Sequence, residues 1–588
     1  MRRWYAAGDA RLWGVTGAVA ALAATALGLL ARRGSWYADD LDFLVVGARG
    51  FGMEALLTPV NDHVAPGLRA MYALFVWAAP LNYDFTVVVR GVLWAAAVML
   101  MAALLQRLHG RDALTLVGTV FYALSPLSMP SFMSLSSAVN NLPAHVLGLV
   151  FLHCTLDWSQ RRTTLSLVGA AGALFASMLF WEKSGLIVLT GAALLLSRPR
   201  PAGNRGVRAS WGWLLACLVA ACAFAAIYLT RGGPAEASSP PSPARLLLLW
   251  GESLWSSVVA TVVGGPVAWA PSSPPYFGLS NPAWWVSVAG AAVTAWLVAL
   301  CVLRARRALW WWAAVAGYSA ATVAVVGYGR FAFFGSLVTR QLHYWSDAVV
   351  PLTLAVAGSL VLLRPVRRRV LGGVVASGLA LVWLAAVTAS NHGFAQLWSA
   401  NPSKAYAGNL IRSIEDRGRV NLWDTQLPDA ILPLSANQGV AGVARLVSDD
   451  VLVQDPSSEP LVVRGDGTIV ASRFAVWGRS VDASDCRYLL TGADSVRVPL
   501  TQPVPSGFWY VKIGYLANPS ATVTATAVGD SGAVPLVNGP ATWPAGLGTV
   551  SLRASRVADV RYITLSTSEP GTNVCVGDIT VGVPEPMP

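Results

Sequence analysis

The sequence predicts a polytopic α-helical membrane protein of about 11 transmembrane helices, followed by a C-terminal extracytoplasmic β-sandwich or jelly roll. Three observations carry this. Hydrophobic residues make up 55% of the 588 residues and charged residues only 12%, about half of the ~25% usual in a soluble domain. The mean hydropathy is +0.54, and the apolar residues gather in runs near the ~17–25 that a bilayer requires, some of them shorter. After Ser390 those runs give way to alternating segments with Gly, Pro, Asn and Asp between them, the pattern of antiparallel strands.

The first expected span is Leu12–Leu30. Met1-Arg2-Arg3 precedes it like the start of a signal peptide, but the run is too long for an h-region and no clear small-residue cleavage site follows, so a retained helix is expected. The others are Phe85–Leu105, Leu114–Leu127, Leu142–Leu156, Leu165–Phe180, Gly185–Leu196, Trp211–Leu229, Trp284–Leu303, Leu309–Val326, Ala348–Leu363 and Leu371–Thr388. The 25 Trp residues sit mostly near segment ends, as in an interfacial belt.

Short loops test this reading. Arg107 with Arg111, Arg161 with Arg162, Arg198 to Arg208, Arg304 to Arg307 and Arg364 to Arg369 all fall on the side of Arg2 and Arg3. The positive-inside rule makes that side cytoplasmic. The expected location is the plasma membrane, multi-pass, with a cytoplasmic N-terminus and everything after Thr388 outside. The net charge of +12 is thereby explained without nucleic acid. Leu246–Val262 is apolar enough to span but carries Glu252 and several Ser. A span there would set the later Arg loops against the rule, so it reads as a helix along the outer surface or packed in a cavity. Val64–Pro80 reads the same way, and Pro234–Pro243 and Pro271–Pro282 read as outer loops.

The expected divisions are 1–389, the transmembrane domain; 390–470, an extracytoplasmic α/β linker region; and 471–588, the sandwich. Residues 403–417 look helical, and strands are expected at Phe508–Leu516, Thr522–Val528, Thr549–Arg553, Arg561–Thr567 and Val574–Val583. Trp477, Trp509 and Trp543 are either core or exposed ligand-stacking rings. Cys154, Cys217, Cys222 and Cys301 lie in spans as small apolar filler. Cys486 and Cys575 are the two cysteines of the outer domain, where an oxidising compartment favours a disulfide. No Cys/His spacing resembles a zinc site.

The chemistry is expected at the outer face. Asp39, Asp40 and Asp42 follow the first span directly, between Trp36-Tyr37 and Phe43, and charge at a membrane surface is costly without a role. The plain alternative is a solvated acidic loop. One carboxylate suits a general base; a second suits a divalent cation (Mg²⁺, Mn²⁺ or Ca²⁺) or a sugar hydroxyl. Asp62 and His63 form a second polar knot, with His63 set either to orient an acid, to touch a phosphate or to make a structural hydrogen bond. Glu182 and Lys183 form either a hairpin ion pair or a phosphate site. Arg340, His343 and Tyr344 precede a late span, with Arg330 before them. An outward Arg either grips a phosphate with its planar donors or snorkels. Arg90, within a span, needs a partner.

These residues resemble the GT-C superfamily of polytopic glycosyltransferases, which use polyprenyl-phosphate sugars. The features that carry the resemblance are Asp39-Asp40 in the first outer loop, a horizontal helix after Asp62-His63, and the Arg340…His343-Tyr344 element before a late span. Similar arrangements occur in arabinosyl- and mannosyltransferases of actinobacterial envelopes, some ending in a carbohydrate-binding jelly roll, and the Ala/Val/Arg/Trp-rich composition looks actinobacterial. The resemblance implies Asp39 as general base, Asp40 assisting or binding metal, and Arg340, Lys183 and His343 on the donor phosphate. Asp42, Asp62, His63, Glu182 and Tyr344 would support them. It implies a polyprenyl-phosphate-linked sugar donor, a glycan or glycolipid acceptor, membrane lipid, no nucleotide cofactor and no nucleic acid. No P-loop or Rossmann fingerprint is present in the sequence.

Rival readings are a lipid-linked-sugar transporter or flippase, which would bury its charges near the midplane and repeat internally; a non-catalytic scaffold binding envelope glycan; and an acyltransferase.

Overall fold

The computed structural model describes residues 2–59, 63–198, 204–231, 241–272, 278–363, 370–431, 439–455, 458–481, 486–492, 494–505, 507–530, 532–536, 541–557 and 559–587. They divide into two compact units: Met1–Ser403 with Asp429–Pro433, and Lys404–Pro428 with Leu434–Pro588.

The first unit is helical. Among the described residues, 7 helices are long and apolar enough to cross a membrane: Arg11–Ala31, Tyr83–His109, Leu135–Arg161, Trp211–Arg231, Trp284–Arg304, Arg306–Arg340 and Ser377–Ser399. Ala113–Leu124, Thr164–Met178 and Ser346–Val361 are apolar but shorter. Gly185–Leu196 is a 3-10 turn, Glu182–Leu186, running into the helix Ile187–Leu196. The last expected span does not stop at Thr388; it continues as one helix to Ser399.

Local chemistry sets these boundaries. The helix Tyr83–His109 starts where Asn82 accepts from the Phe85 N–H at 3.0 Å and ends with Arg107 and His109 in its last turn, before Gly110 at φ 92°. The side chain oxygen satisfies an otherwise orphaned N–H, the cations suit the helix C-terminus, and glycine takes the left-handed exit. Asp112 and Thr163 cap the next helices by bonds to Thr115 and Ser166. The short helix Val349–Val361 is buried from Val349 through Ser359, so it is a core element of the bundle.

Leu246–Val262 is a broken helix: Pro243–Ser253, a π turn at Leu254–Val258, then Val259–Val262. The Trp250 indole donates to Ser319 Oγ at 2.8 Å, and the Ser257 hydroxyl to the Thr339 carbonyl at 2.7 Å. Leu247 and Leu248 are exposed. Within Val64–Pro80 lies the helix Pro66–Ala78, whose Leu68, Arg69, Tyr72, Ala73 and Phe75 are buried. It packs against the helix Asp40–Gly47, where Gly47 permits the approach: a Cβ there would lie 2.8 Å from the Tyr72 backbone. Arg90 finds carbonyl partners, donating to Phe132 O at 2.9 Å, Met133 O at 2.7 Å and Thr86 O at 3.2 Å.

The second unit holds two five-stranded antiparallel sheets. One orders Gly546–Val557, Gly507–Asn518, Asn573–Pro586 and Ser472–Arg479, with Tyr488–Thr491 paired to Asn573–Pro586; the other orders Gly532–Pro535, Ala521–Gly529, Val560–Thr567 and Ser495–Val504, with Ala541–Trp543 paired to Ala521–Gly529. All five expected strand segments fall on these strands. Burial alternates along Ala521–Gly529, as the pleat requires. Trp509 and Trp543 belong to the core, and Trp477 packs half-buried against it, which resolves those three rings as packing residues. Cys486 and Cys575 form a disulfide; Cys217 and Cys301 are buried and Cys222 exposed.

Lys404–Pro428 belongs to the same unit as the sandwich. Trp423 stacks on Phe474 and meets Tyr510 edge-on. Asp424 accepts from Arg553 at 2.7 Å, and the Tyr510 hydroxyl donates to the Asp424 carbonyl at 2.6 Å.

Candidate active site

The chain leaves the first helix through Trp36 and Tyr37, passes Ala38 at φ 48° and enters the helix Asp40–Gly47. Acids suit a helix start because the first-turn N–H groups lack helical partners. Consecutive residues there point about 100° apart, so the two adjacent carboxylates meet different surroundings.

Asp40 turns inward and is 0% exposed. It accepts from the Tyr37 N–H at 2.8 Å, the Ser136 N–H at 2.7 Å and the Tyr72 hydroxyl at 3.2 Å. Ser136 lies in the first turn of Leu135–Arg161, so the carboxylate ties together three helices. Burial pushes its pKa up to about 6, against the pull of the Tyr37 and Ser136 N–H groups and the Arg90 charge.

Asp39 occupies the N-cap position without a side-chain cap bond and is half-buried. Its charge acts on Tyr37, Asp42, Tyr72 and Tyr344. Asp42 is raised to about 6 by burial and by Asp39, opposed by Arg69 and Arg49. Tyr344 is reached by Arg330 as well as by Asp39, and burial raises its phenol above the ordinary value. Tyr344 therefore feels both an acid and a guanidinium.

Arg330 is half-exposed and donates through Nη2 to His63 Nε2 at 2.8 Å. His63 Nδ1 meets Glu182 Oε1. Burial pushes Glu182 up, but the hydrogen bond to His63, with its own backbone N–H and the Arg330 charge, outweighs it and holds the carboxyl below its ordinary range. Asp62 lies outside the described residues.

Lys183 points the other way. It is 2% exposed and donates to Tyr344 O at 2.5 Å and Asp347 Oδ1 at 2.7 Å, with the Trp181 ring 4.2 Å from its ammonium. The Tyr318 hydroxyl donates to Asp347 Oδ2 at 2.6 Å. Burial lowers the Lys183 pKa and Asp347 partly restores it. Lys183 thus pins the Tyr344 segment from within rather than facing solvent. The His343 ring lies tilted by 46° against Tyr344, with ring centroids 4.0 Å apart, and burial, with Lys183 and Arg330 nearby, pushes it down to about 3. Arg340 donates to Ser280 O at 2.7 Å and bonds Asn281 Oδ1. The guanidinium that meets the acid-rich group is Arg330.

A cation does not fit at Asp40. Both oxygens accept from protein donors in a fully buried position. Among the described residues no group of three or more His, Cys, Asp or Glu is arranged to hold a metal.

Sequence reasoning missed Asp347, Tyr318 and Arg69. The signal for Asp347 was an acid opening an apolar run; Arg69 was a lone cation on the helix Pro66–Ala78, and it binds the Thr58 and Pro59 carbonyls at 3.1 to 3.3 Å. Tyr318 lies mid-helix among apolar residues and carried no signal.

No protein-family model matches the chain, and no curated protein matches it. Among solved structures, the arabinofuranosyltransferase AftD from Mycobacteria is 11% identical, covering 96% of this chain and 61% of its own, with a TM-score of 0.37. The arabinosyltransferase EmbB from Mycobacterium smegmatis is 12% identical over 97% of this chain and 64% of its own, with a TM-score of 0.30. A structure of BiXyn10A CBM1 is 14% identical over 20% of this chain and 71% of its own, with a TM-score of 0.13. The chain spans less than two thirds of the length of the two transferases.

The buried acid makes stability depend on pH. The folded pKa of Asp40, about 6, lies above its ordinary 3.8, so its contribution is full below the unfolded value and is lost as pH rises through about 6. Thermal melts of the full chain in detergent should show stability falling from pH 4 towards pH 7, with a shallower fall in Asp40→Asn at a lower overall Tm. Identical slopes in the two proteins would contradict the assignment.

Proposed function

We propose that the chain is a plasma-membrane glycosyltransferase that moves a sugar from a polyprenyl-phosphate donor to a cell-envelope glycan or glycolipid. Its reaction lies at the outer face, with the N-terminus cytoplasmic and the sandwich extracytoplasmic. One observation supports the reading above others: the half-buried carboxylate of Asp39 and the half-exposed guanidinium of Arg330 both act on the same residue, Tyr344. A base and an anion-binding group acting on one residue suit a displacement in which a hydroxyl loses a proton as a phosphate departs.

In this reaction the acceptor hydroxyl gives its proton to an Asp39 oxygen, and its oxygen forms a bond to the anomeric carbon. The bond from that carbon to the phosphate oxygen breaks, and the lipid phosphate leaves with the electron pair. Arg330 meets the charge that develops there. Attack opposite the leaving group inverts the anomeric centre. Asp40 contributes by fixing the helix that presents Asp39; Tyr344 contributes a neutral donor between the two ends. No nucleotide and no nucleic acid takes part.

Asp39→Asn should lower transfer by about 10²–10⁴-fold at normal expression. The measurement is a lipid and glycan profile of a deletion strain complemented with each variant. Accumulated polyprenyl-phosphate sugar and a truncated glycan are the expected result; a wild-type profile would rule the site out.

A second activity, glycan binding by the sandwich unit, is favoured by a cleft of about 1090 Å³ whose lining includes Gln454, Asp455, Lys512, Gly514, Thr549 and Asp578. Both amide atoms of Gln454 are buried with no partner among the described residues, so a hydroxyl-rich ligand would satisfy them. Glycine within a strand often marks close approach of a ligand, and a Cβ on Gly514 would meet Asp578 backbone atoms only at 3.7 and 3.9 Å. Gly514→Trp should therefore abolish retention of the full chain on insoluble envelope glycan without lowering Tm. Undiminished retention would exclude the cleft.

A further inference from the structure

The contact between Arg330 and His63 dictates a proton arrangement. A guanidinium has five donors and no acceptor. Its Nη2 lies 2.8 Å from His63 Nε2, so that ring nitrogen must present its lone pair. The imidazole proton then sits on Nδ1, which faces Glu182 Oε1, and the carboxylate accepts it. The other Glu182 oxygen is buried with no partner among the described residues. Neither ring nitrogen is left to meet a ligand, because Nε2 has no proton for a phosphate and its lone pair is already engaged. We propose that His63 and Glu182 are positioning residues, a strut in one fixed tautomer that aims Arg330 at an anionic ligand, rather than residues that touch that ligand. The inference rests on the reading of Arg330 as the phosphate-binding group.

Three elements meet in this strut. His63 lies just before the horizontal helix Pro66–Ala78, Glu182 opens the 3-10 turn Glu182–Leu186, and Arg330 lies in Leu309–Phe334. The next residue after Glu182 is Lys183, anchored in the opposite direction on Asp347 and the Tyr344 carbonyl. One short turn thus fixes both sides of the group: Lys183 holds the Tyr344 segment, and Glu182 holds Arg330 through His63. An arginine side chain free to rotate would lose entropy on gripping an anion; one already hydrogen-bonded to a fixed imidazole loses less.

The distinguishing variants are His63→Gln and His63→Leu. Glutamine offers a carbonyl oxygen to Arg330 and an amide N–H to Glu182, preserving both polarities; leucine preserves volume and neither bond. The probe is farnesyl phosphate, an isoprenoid monophosphate, titrated into the purified full chain in detergent, with farnesol as the phosphate-free control. Wild type and His63→Gln should bind farnesyl phosphate alike, while His63→Leu, Glu182→Ala and Arg330→Ala each weaken binding on the order of tenfold. His63→Leu added to Arg330→Ala should weaken it no further. If His63→Gln binds as poorly as His63→Leu, the imidazole itself touches the anion and the proposal is overturned. The same variants go through thermal melts as a double-mutant cycle. The Tm losses of His63→Leu and Arg330→Ala should be less than additive; additive losses overturn the strut. If wild type does not bind farnesyl phosphate, the donor reading fails, and the melts alone still decide the strut.

Discussion

The buried carboxylate of Asp40 is the constraint on which the candidate site depends. Placing an acid at 0% exposure is unfavourable by several kcal/mol unless its lone pairs are met. Here they are met by backbone and side chain groups from Tyr37, Ser136 and Tyr72. One of these donors is a helix-start N–H that would otherwise lack a partner. The arrangement fixes the turn after the first helix, the helix Pro66–Ala78 and the start of a long helix relative to one another. While Asp40 is held inward, the preceding residue, Asp39, is half-buried at the N-cap of the same helix.

A second buried charge sets the other side. Lys183 and Asp347 are paired inside the bundle, with Tyr318 and the Tyr344 carbonyl completing their hydrogen bonds. Removing either partner would strand a charge, which costs about 3–5 kcal/mol. The pair holds the segment carrying Tyr344 while its neighbour Glu182 reaches His63 and, through it, Arg330. Buried ions of this kind are poor sources of net stability but strong determinants of geometry. In this chain they surround the acid and the guanidinium that the proposed chemistry uses.

Much of this was legible in the sequence. Hydropathy marked the helical segments, alternation marked the strands, and the two cysteines of the C-terminal unit marked the disulfide. The acids, His63, Glu182, Lys183 and the Arg330 to Tyr344 stretch were visible as charge placed where a membrane chain keeps little. What was not visible is direction. Asp39 and Asp40 are adjacent and chemically alike, and only the phase of a short helix separates a displayed carboxylate from a buried one. Lys183 looked like a phosphate ligand because its partner Asp347 is distant in sequence. Arg330 and Arg340 straddle an irregular 3-10 stretch, whose period gives no reliable face, so their partners followed from tertiary packing alone. The Leu246–Val262 segment looked apolar enough to span, and its π turn at Leu254–Val258 had no periodic signature.

The most direct test of the account is a cryo-EM map of the full-length Asp39→Asn protein with a bound polyprenyl-phosphate sugar. The account predicts phosphate density against Arg330 and the sugar ring lying across Tyr344 towards residue 39. Phosphate held by Arg340 and Asn281, with Arg330 away from the ligand, would contradict it.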